Sequence, residues 1–457
     1  MHCVRPPRAS ALLVIFFLCL GLGAHLCASG PLSRRAPRQC ELPDADGAFE
    51  TSTPSEQNLD PAVVAEAIAY AGTHNRLSIQ IFRRNCLVAT GALDPLTDQT
   101  PFQVFSVTKS VVSILTGMAY DQKKLGLDDA IDKYLPTGEG WGDAAHRAIT
   151  IKQLLTETAG MRESILAEAA TVTTETSIPQ EALAEPLEHE PGTFFEYSQR
   201  VPDLLAFVVQ QAVGQDLQEF AQEHLFSPIG IEQDKYFWLR DRSGNTYGYA
   251  WLFIPPQQLA KLGLLMQNDG VWKQTRLLSS DYVAQLSQPS EHNPCYGYLF
   301  WNNRGQTCTG ANIPAAQTVN RSAIPSAPPD LYAMVGALHQ NNFIIPSLDM
   351  TVTWTGLFGD EAPNLSGILS AQPADLYYNF FRILMRAVQD QHIPDPGPYP
   401  VPPLDLDVNP ANYLSIPVVL NDLFPNPDCN VVFCNGTIPT KGLVENVQAI
   451  VGTVLGL

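Results

Sequence analysis

From Pro61 to Gly72 the apolar positions Val63, Val64, Ala67, Ile68 and Ala71 recur at helical spacing. Leu77 to Phe82 and Cys86 to Gly91 then read as two short strands, so a helix followed by a hairpin opens the folded part. Between Val107 and Tyr120, Val, Ile, Leu and Met fill more than one helical face, which predicts a helix buried on most sides and starting near Ser106. Further helices are expected from Ile151 to Thr158, from Val201 to Val213 and from Pro255 to Asn268, the last with Leu259, Leu262, Leu265 and Met266 on one side. Strand character returns only at Tyr296 to Trp301 and Leu331 to Trp354, and a final helix from Pro373 to Gln391 turns Leu376, Phe380, Ile383 and Leu384 toward the sheet. The simplest architecture is α+β: an antiparallel sheet built from both chain ends, flanked by helices, with a mainly helical region inserted between its strands.

The two ends depart from this pattern. Residues 30–60 are polar with scattered proline and read as a loose leader, and the body is expected over 61–392. From Ile393 to Pro403 proline recurs at nearly every second position, which imposes an extended path, so 393–457 reads as a proline-rich extension. Leu443, Val447, Ile450, Val451, Val454 and Leu455 stand at helical spacing and predict a short terminal docking helix. A lipid-anchor signal is the competing reading of that stretch, and Glu445, Asn446 and Gln448 interrupt it.

Charge narrows the function. Lys and Arg total 27 against 46 Asp and Glu, a formal net charge of −19, and such a field repels phosphate backbones. No nucleic-acid partner is expected. Apolar runs reach only about 13 residues where a span needs roughly 20, so no membrane span is expected either. Arg5 and Arg8 precede the apolar stretch Ala11 to Gly23, which leads into Ala28, Ser29 and Gly30; residues 1–29 read as a secretory signal peptide and the protein as secreted, with an uncleaved anchor as the alternative. Arg34-Arg35 offers a second processing site.

Nine cysteines become six once Cys3, Cys19 and Cys27 leave with the signal. Six in an exported chain suggest disulfides, and about 15 pairings are possible. Proximity favours Cys429 with Cys434 and Cys295 with Cys308, leaving Cys40 with Cys86; buried free thiols are the alternative. Asn320, Asn364 and Asn435 head glycosylation tripeptides.

The candidate chemistry sits in Phe105-Ser106-Val107-Thr108-Lys109. A serine hydroxyl needs a neighbour to accept its proton, and a lysine three residues on along a helix lies on the same face. The helix N-terminus adds N–H groups suited to a developing oxyanion. Downstream stand Leu125-Gly126-Leu127-Asp128-Asp129, Leu154-Leu155-Thr156-Glu157-Thr158-Ala159-Gly160-Met161, Pro191-Gly192-Thr193-Phe194-Phe195-Glu196-Tyr197-Ser198-Gln199 and Leu262-Gly263-Leu264-Leu265-Met266-Gln267-Asn268-Asp269-Gly270. In this succession, from about Val63 to Gln391, the chain resembles the class C beta-lactamase-like serine hydrolases, among them penicillin-binding proteins, D-amino peptidases and esterases.

The resemblance implies a beta-lactamase/transpeptidase-like fold, Ser106 as the acylated nucleophile, Lys109 as its proton partner and Tyr197 as general base and then general acid. Gln199 stands where the family usually has Asn and is expected to contact substrate. In place of an edge-strand Lys-Thr-Gly the chain has Tyr332-Ala333-Met334-Val335-Gly336-Ala337-Leu338-His339-Gln340, which resembles the branch of the family that has an Ala-x-x-Gly strand followed by a Gly-rich turn and Gln. No cation stands there to hold a substrate carboxylate, so efficient penicillin hydrolysis is disfavoured. The backbone near Met334 and Gly336 is expected to complete the oxyanion hole with Ser106, and His339 is either a pocket group or a satisfied loop histidine. No metal site or cofactor is implied. A small-molecule or peptide-like substrate is, with an ester or amide as the bond cleaved. The competing reading is a non-catalytic binding or assembly module that keeps the fold. Substrate identity and oligomeric state are left open.

Overall fold

The computed structural model describes residues 37–455 apart from 46, 163–167, 169–173, 312–317, 358–374 and 401–409. The expected signal segment, the Arg34-Arg35 pair and Asn364 lie outside the described residues. Helix α1 (Pro61–Thr73) starts where the Asp60 carboxylate accepts from the Ala62 and Val63 amides, with Pro61 at the first helical position. The hairpin β1 (Arg76–Arg83) and β2 (Cys86–Thr90) follows. Next come α2 (Val107–Asp121), α3 (Ile178–Ala184), α4 (Arg200–Val213) and α5 (Pro256–Gln267). The chain then returns to the sheet with β3 (Trp301–Asn302), β4 (Tyr332–Gly336), β5 (Gln340–Ile345) and β6 (Met350–Gly356). Helix α6 (Asp375–Arg386) and two tail helices, α7 (Ile416–Leu423) and α8 (Lys441–Ile450), end it.

The six strands pair antiparallel in the order β2-β1-β6-β5-β4-β3, so the N-terminal hairpin joins the C-terminal strands through β1 and β6. The chain thus has the α+β architecture expected from its pattern. One sheet face is covered by α1 and α6, whose Val64, Ala67, Leu376, Phe380 and Phe381 pack with Ile79, Phe343 and Trp354. Helices α2, α4 and α5 occupy the larger core on the other side. Every residue of α2 from Val107 to Ala119 is buried, as its many-sided apolar pattern requires.

Three expectations change. Tyr296 to Trp301 is a tight turn rather than a strand: Leu299 is left-handed at φ 54° and the Gly297 amide bonds the Phe300 carbonyl. The segment from 37 to 60 is not loose, since Cys40 is bonded to Cys86, Phe49 stacks edge-on to Phe82 at 4.8 Å, and Leu59 is buried. Finally, α8 docks through the wrong face for its apolar stripe. Leu443, Val447 and Ile450 are exposed, while Asn446 donates to and accepts from the Arg240 backbone and Gly442 abuts Asp241. The reason is polar: backbone groups at Arg240 and Asp241 need partners, and Asn446 supplies both kinds. Cys295–Cys308 and Cys429–Cys434 are paired as expected. Among the described residues no helix is long and apolar enough to cross a membrane.

Candidate active site

Ser106 stands at the junction of a short strand and α2. Phe102–Gln103 pairs with Leu252–Ile254, the Val104 amide bonds the Leu252 carbonyl, and Phe105 turns left-handed at φ 47° to start the helix. A non-glycine residue in that region is strained, and here it swings Ser106 out of the core to a half-buried position while Val107 goes in. The first helical bonds run three residues back, from Val107, Thr108 and Lys109 to Val104, Phe105 and Ser106. They leave the Ser106 amide without an acceptor among the described residues.

Lys109, one turn on, is 1% exposed, and its Nζ is the hub of the site. It donates to Ser106 Oγ at 3.3 Å, to Gln199 Oε1 at 2.7 Å and to the Tyr249 carbonyl at 3.3 Å. The same ammonium lies 4.6 Å from the centre of the Tyr197 ring and 5.4 Å from that of Tyr249. Tyr197 is walled by Trp301 at 5.6 Å and Tyr296 at 6.0 Å between ring centres. The three residues expected to carry the chemistry are therefore brought together. Gln199 joins them, held by Lys109 rather than turned out toward a ligand.

The remaining expected residues divide. Gly336 ends β4 against the nucleophile loop, where a Cβ would collide with the Val104 carbonyl, so only glycine lets the strand close on Ser106. Met334, two residues inward, is fully buried in the core, and the exposed end of the strand is Ala337. His339 is not brought to the serine. Its Nδ1 bonds the Tyr377 hydroxyl at 3.1 Å, and burial, with Arg76 adding to it, pushes the imidazole down to about 3. It is a satisfied loop histidine, neutral under ordinary conditions, packed edge-on against Tyr377.

Several groups around the hub carried no local signal. Asp203 accepts from the Gly248 and Tyr249 amides at 2.6 and 3.2 Å and from Arg200 at 3.1 Å, which fixes the carbonyl that Lys109 binds. Arg200 itself is fully buried beside Glu175, Glu181 and Asp422. Burial pushes Asp203 and Asp241 up to about 7 and raises Glu181 and Glu185 well above the carboxylate range. The signal available in the sequence was an arginine directly after Gln199 at the head of an apolar helix. It needed a carboxylate partner, and nothing in the spacing says which.

The beta-lactamase family model matches residues 71–354. The chain belongs to the beta-lactamase family. It is 28% identical over 141 residues to Protein flp of Staphylococcus aureus, covering 30% of this chain and 28% of that one. It is 29% identical over 171 residues to monacolin J acid methylbutanoyltransferase of Aspergillus terreus, covering 33% of this chain and 41% of that one. The aligned part is thus less than half the length of either relative. Among solved structures, EstCE1, a hydrolase with promiscuous acyltransferase activity, superposes with a TM-score of 0.51 at 17% identity, over 72% of this chain and 98% of that one. This family of serine hydrolases and acyltransferases shares the fold described above.

Proposed function

We propose that the protein is an exported serine hydrolase that forms an acyl-enzyme at Ser106 and cleaves a neutral ester or amide. The observation that carries this reading is Lys109 Nζ, 3.3 Å from Ser106 Oγ, held by Gln199 and lying against the Tyr197 ring. Tyr197, with the Lys109 ammonium over its ring, takes the Ser106 proton as Oγ attacks the carbonyl. The Ser106 amide and the backbone at the Gly336–Ala337 end of β4 receive the oxyanion. Tyr197 then returns the proton to the leaving group, and water or an acceptor alcohol releases the acyl chain. The methylbutanoyltransferase relative supports the second of these acceptors.

The lack of a lysine in Tyr332–Gly336 and the aromatic wall of Trp301 favour uncharged acyl groups over penicillins. Treatment with a fluorophosphonate probe, followed by peptide mass spectrometry, should place the label on Ser106. Turnover of p-nitrophenyl acetate, a D-alanyl anilide and nitrocefin should favour the ester. Label that persists in Ser106→Ala overturns the reading, and absence of turnover and label together would leave a binding module. Export is tested by N-terminal sequencing of the secreted product, which should lack residues 1–29.

A further inference from the structure

Glu157 is a buried carboxyl that the mechanism above does not use. It follows the short helix Ile151–Leu155 in a left-handed conformation, φ 54°, and is 1% exposed. Its carbonyl accepts from the Glu196 amide at 3.0 Å and its carboxyl Oε2 accepts from the Ser198 amide at 3.0 Å. The main chain on both sides of Tyr197 is therefore gripped by one residue. The buried Tyr296, one wall of the Tyr197 ring, meets the same carboxyl.

We propose that Glu157 is the positioning residue of this active site: it clamps Tyr197 from both flanking amides. This rests on the reading of Tyr197 as the base. The charged and titratable groups facing the carboxyl are Lys109 from α2, Glu168, Glu196 beside Tyr197, and Tyr296. Burial outweighs the attraction of Lys109 and pushes the carboxyl up to about 8. When Glu157 ionises, its buried negative charge raises the proton affinity of Lys109 and of Tyr197, so less of either is deprotonated at a given pH. Acylation should therefore climb less steeply with pH through that value than it does where the charge cannot form.

The test is the rate of fluorophosphonate labelling and of p-nitrophenyl acetate turnover from pH 6 to 9.5, in the wild type, Glu157→Gln and Glu157→Ala. Wild-type protein that does not label at Ser106 refutes the proposed function and leaves nothing for Glu157 to position. Given labelling, the wild type should climb less steeply above pH 8 than Glu157→Gln. That variant, which still offers an oxygen to the Ser198 amide, should retain the neutral-pH rate within about threefold. Glu157→Ala should drop in kcat by about tenfold or more with KM little changed. Superimposable wild-type and Gln profiles, or an Ala variant at full rate, would each overturn the inference. Where Glu157→Ala fails to fold, the comparison of the wild type with Glu157→Gln decides the matter.

Discussion

Lys109 makes three hydrogen bonds from one ammonium, and each comes from a different part of the chain: Ser106 on its own helix, Gln199 before α4, and Tyr249 in the loop that Asp203 holds. Such a group is oriented before any substrate arrives, which is the condition for efficient proton handling. Lys109→Ala and Tyr197→Phe should each slow acylation by at least about tenfold, general-base assistance being typically worth roughly 10² to 10⁴, as read from single-turnover labelling. Gln199→Leu removes the 2.7 Å acceptor of Lys109, so kcat should fall while KM holds. His339 makes the opposite case. Its imidazole is already neutral well above pH 3, so His339→Gln should shift the melting temperature and leave the activity profile between pH 5 and 8 unmoved. A change in that profile would put the ring back into the chemistry.

The turn between β4 and β5 shows how the frame holds the site. Leu338 and His339 are both left-handed, at φ 55° and 60°, without a glycine to ease them. Arg76 at the start of β1 donates to the Leu338 and His339 carbonyls at 3.1 and 2.6 Å and to Leu357 at 2.8 Å, so a buried guanidinium restrains a strained turn. Arg76→Ala should cost about 2 kcal/mol or more, seen as a lower denaturation midpoint, because four carbonyls, those of His74, Leu338, His339 and Leu357, lose a charged donor. Helices and strands with regular periods were legible in the sequence: α1, the β1–β2 hairpin, α2 and the strand-rich return all stand where the pattern put them. Tyr296 to Trp301 misled because aromatic content imitates a strand while Gly297 and Leu299 turn the chain. The stripe on α8 misled because polar pairing with Arg240, not apolar burial, chose the docking face. In the site, the spacing of Ser106 and Lys109 along one helix became legible only through the order of the segments downstream of it and the family resemblance they carry. Gln199 against Lys109, and Glu157 around Tyr197, are contacts between distant segments that no local spacing records.

Across the whole molecule the buried acids dominate the response to pH. Glu157, Asp203 and Asp241 are pushed up to about 8, 7 and 7, and Asp422 on α7 to about 6, each mainly by burial. A carboxyl raised on folding stabilises the folded state below its raised value and loses that contribution as pH climbs from the ordinary carboxylate range through it. His339, lowered on folding, acts the other way below about pH 6.5, but it is one group against several. The melting temperature should therefore be higher at pH 5.5 than at pH 8.5, and Asp422→Asn should flatten the slope; a rising curve over that interval would contradict it. Through Asp422, 3.5 Å from Arg200, the tail reaches the same buried cluster, so truncation after Gln391 should lower the melting temperature. The pairing of β1 with β6, Arg76 opposite Gly356, carries a further meaning for biosynthesis. The ribosome delivers one strand of that pair long before the other, an interval on the order of tens of seconds at typical elongation rates. Until then β1 waits with an open edge, and the strand end that closes on Ser106 has not been made. An unfinished chain thus carries Ser106 without the Gly336 strand end that packs against the loop before it, and the site is assembled only when translation is nearly complete.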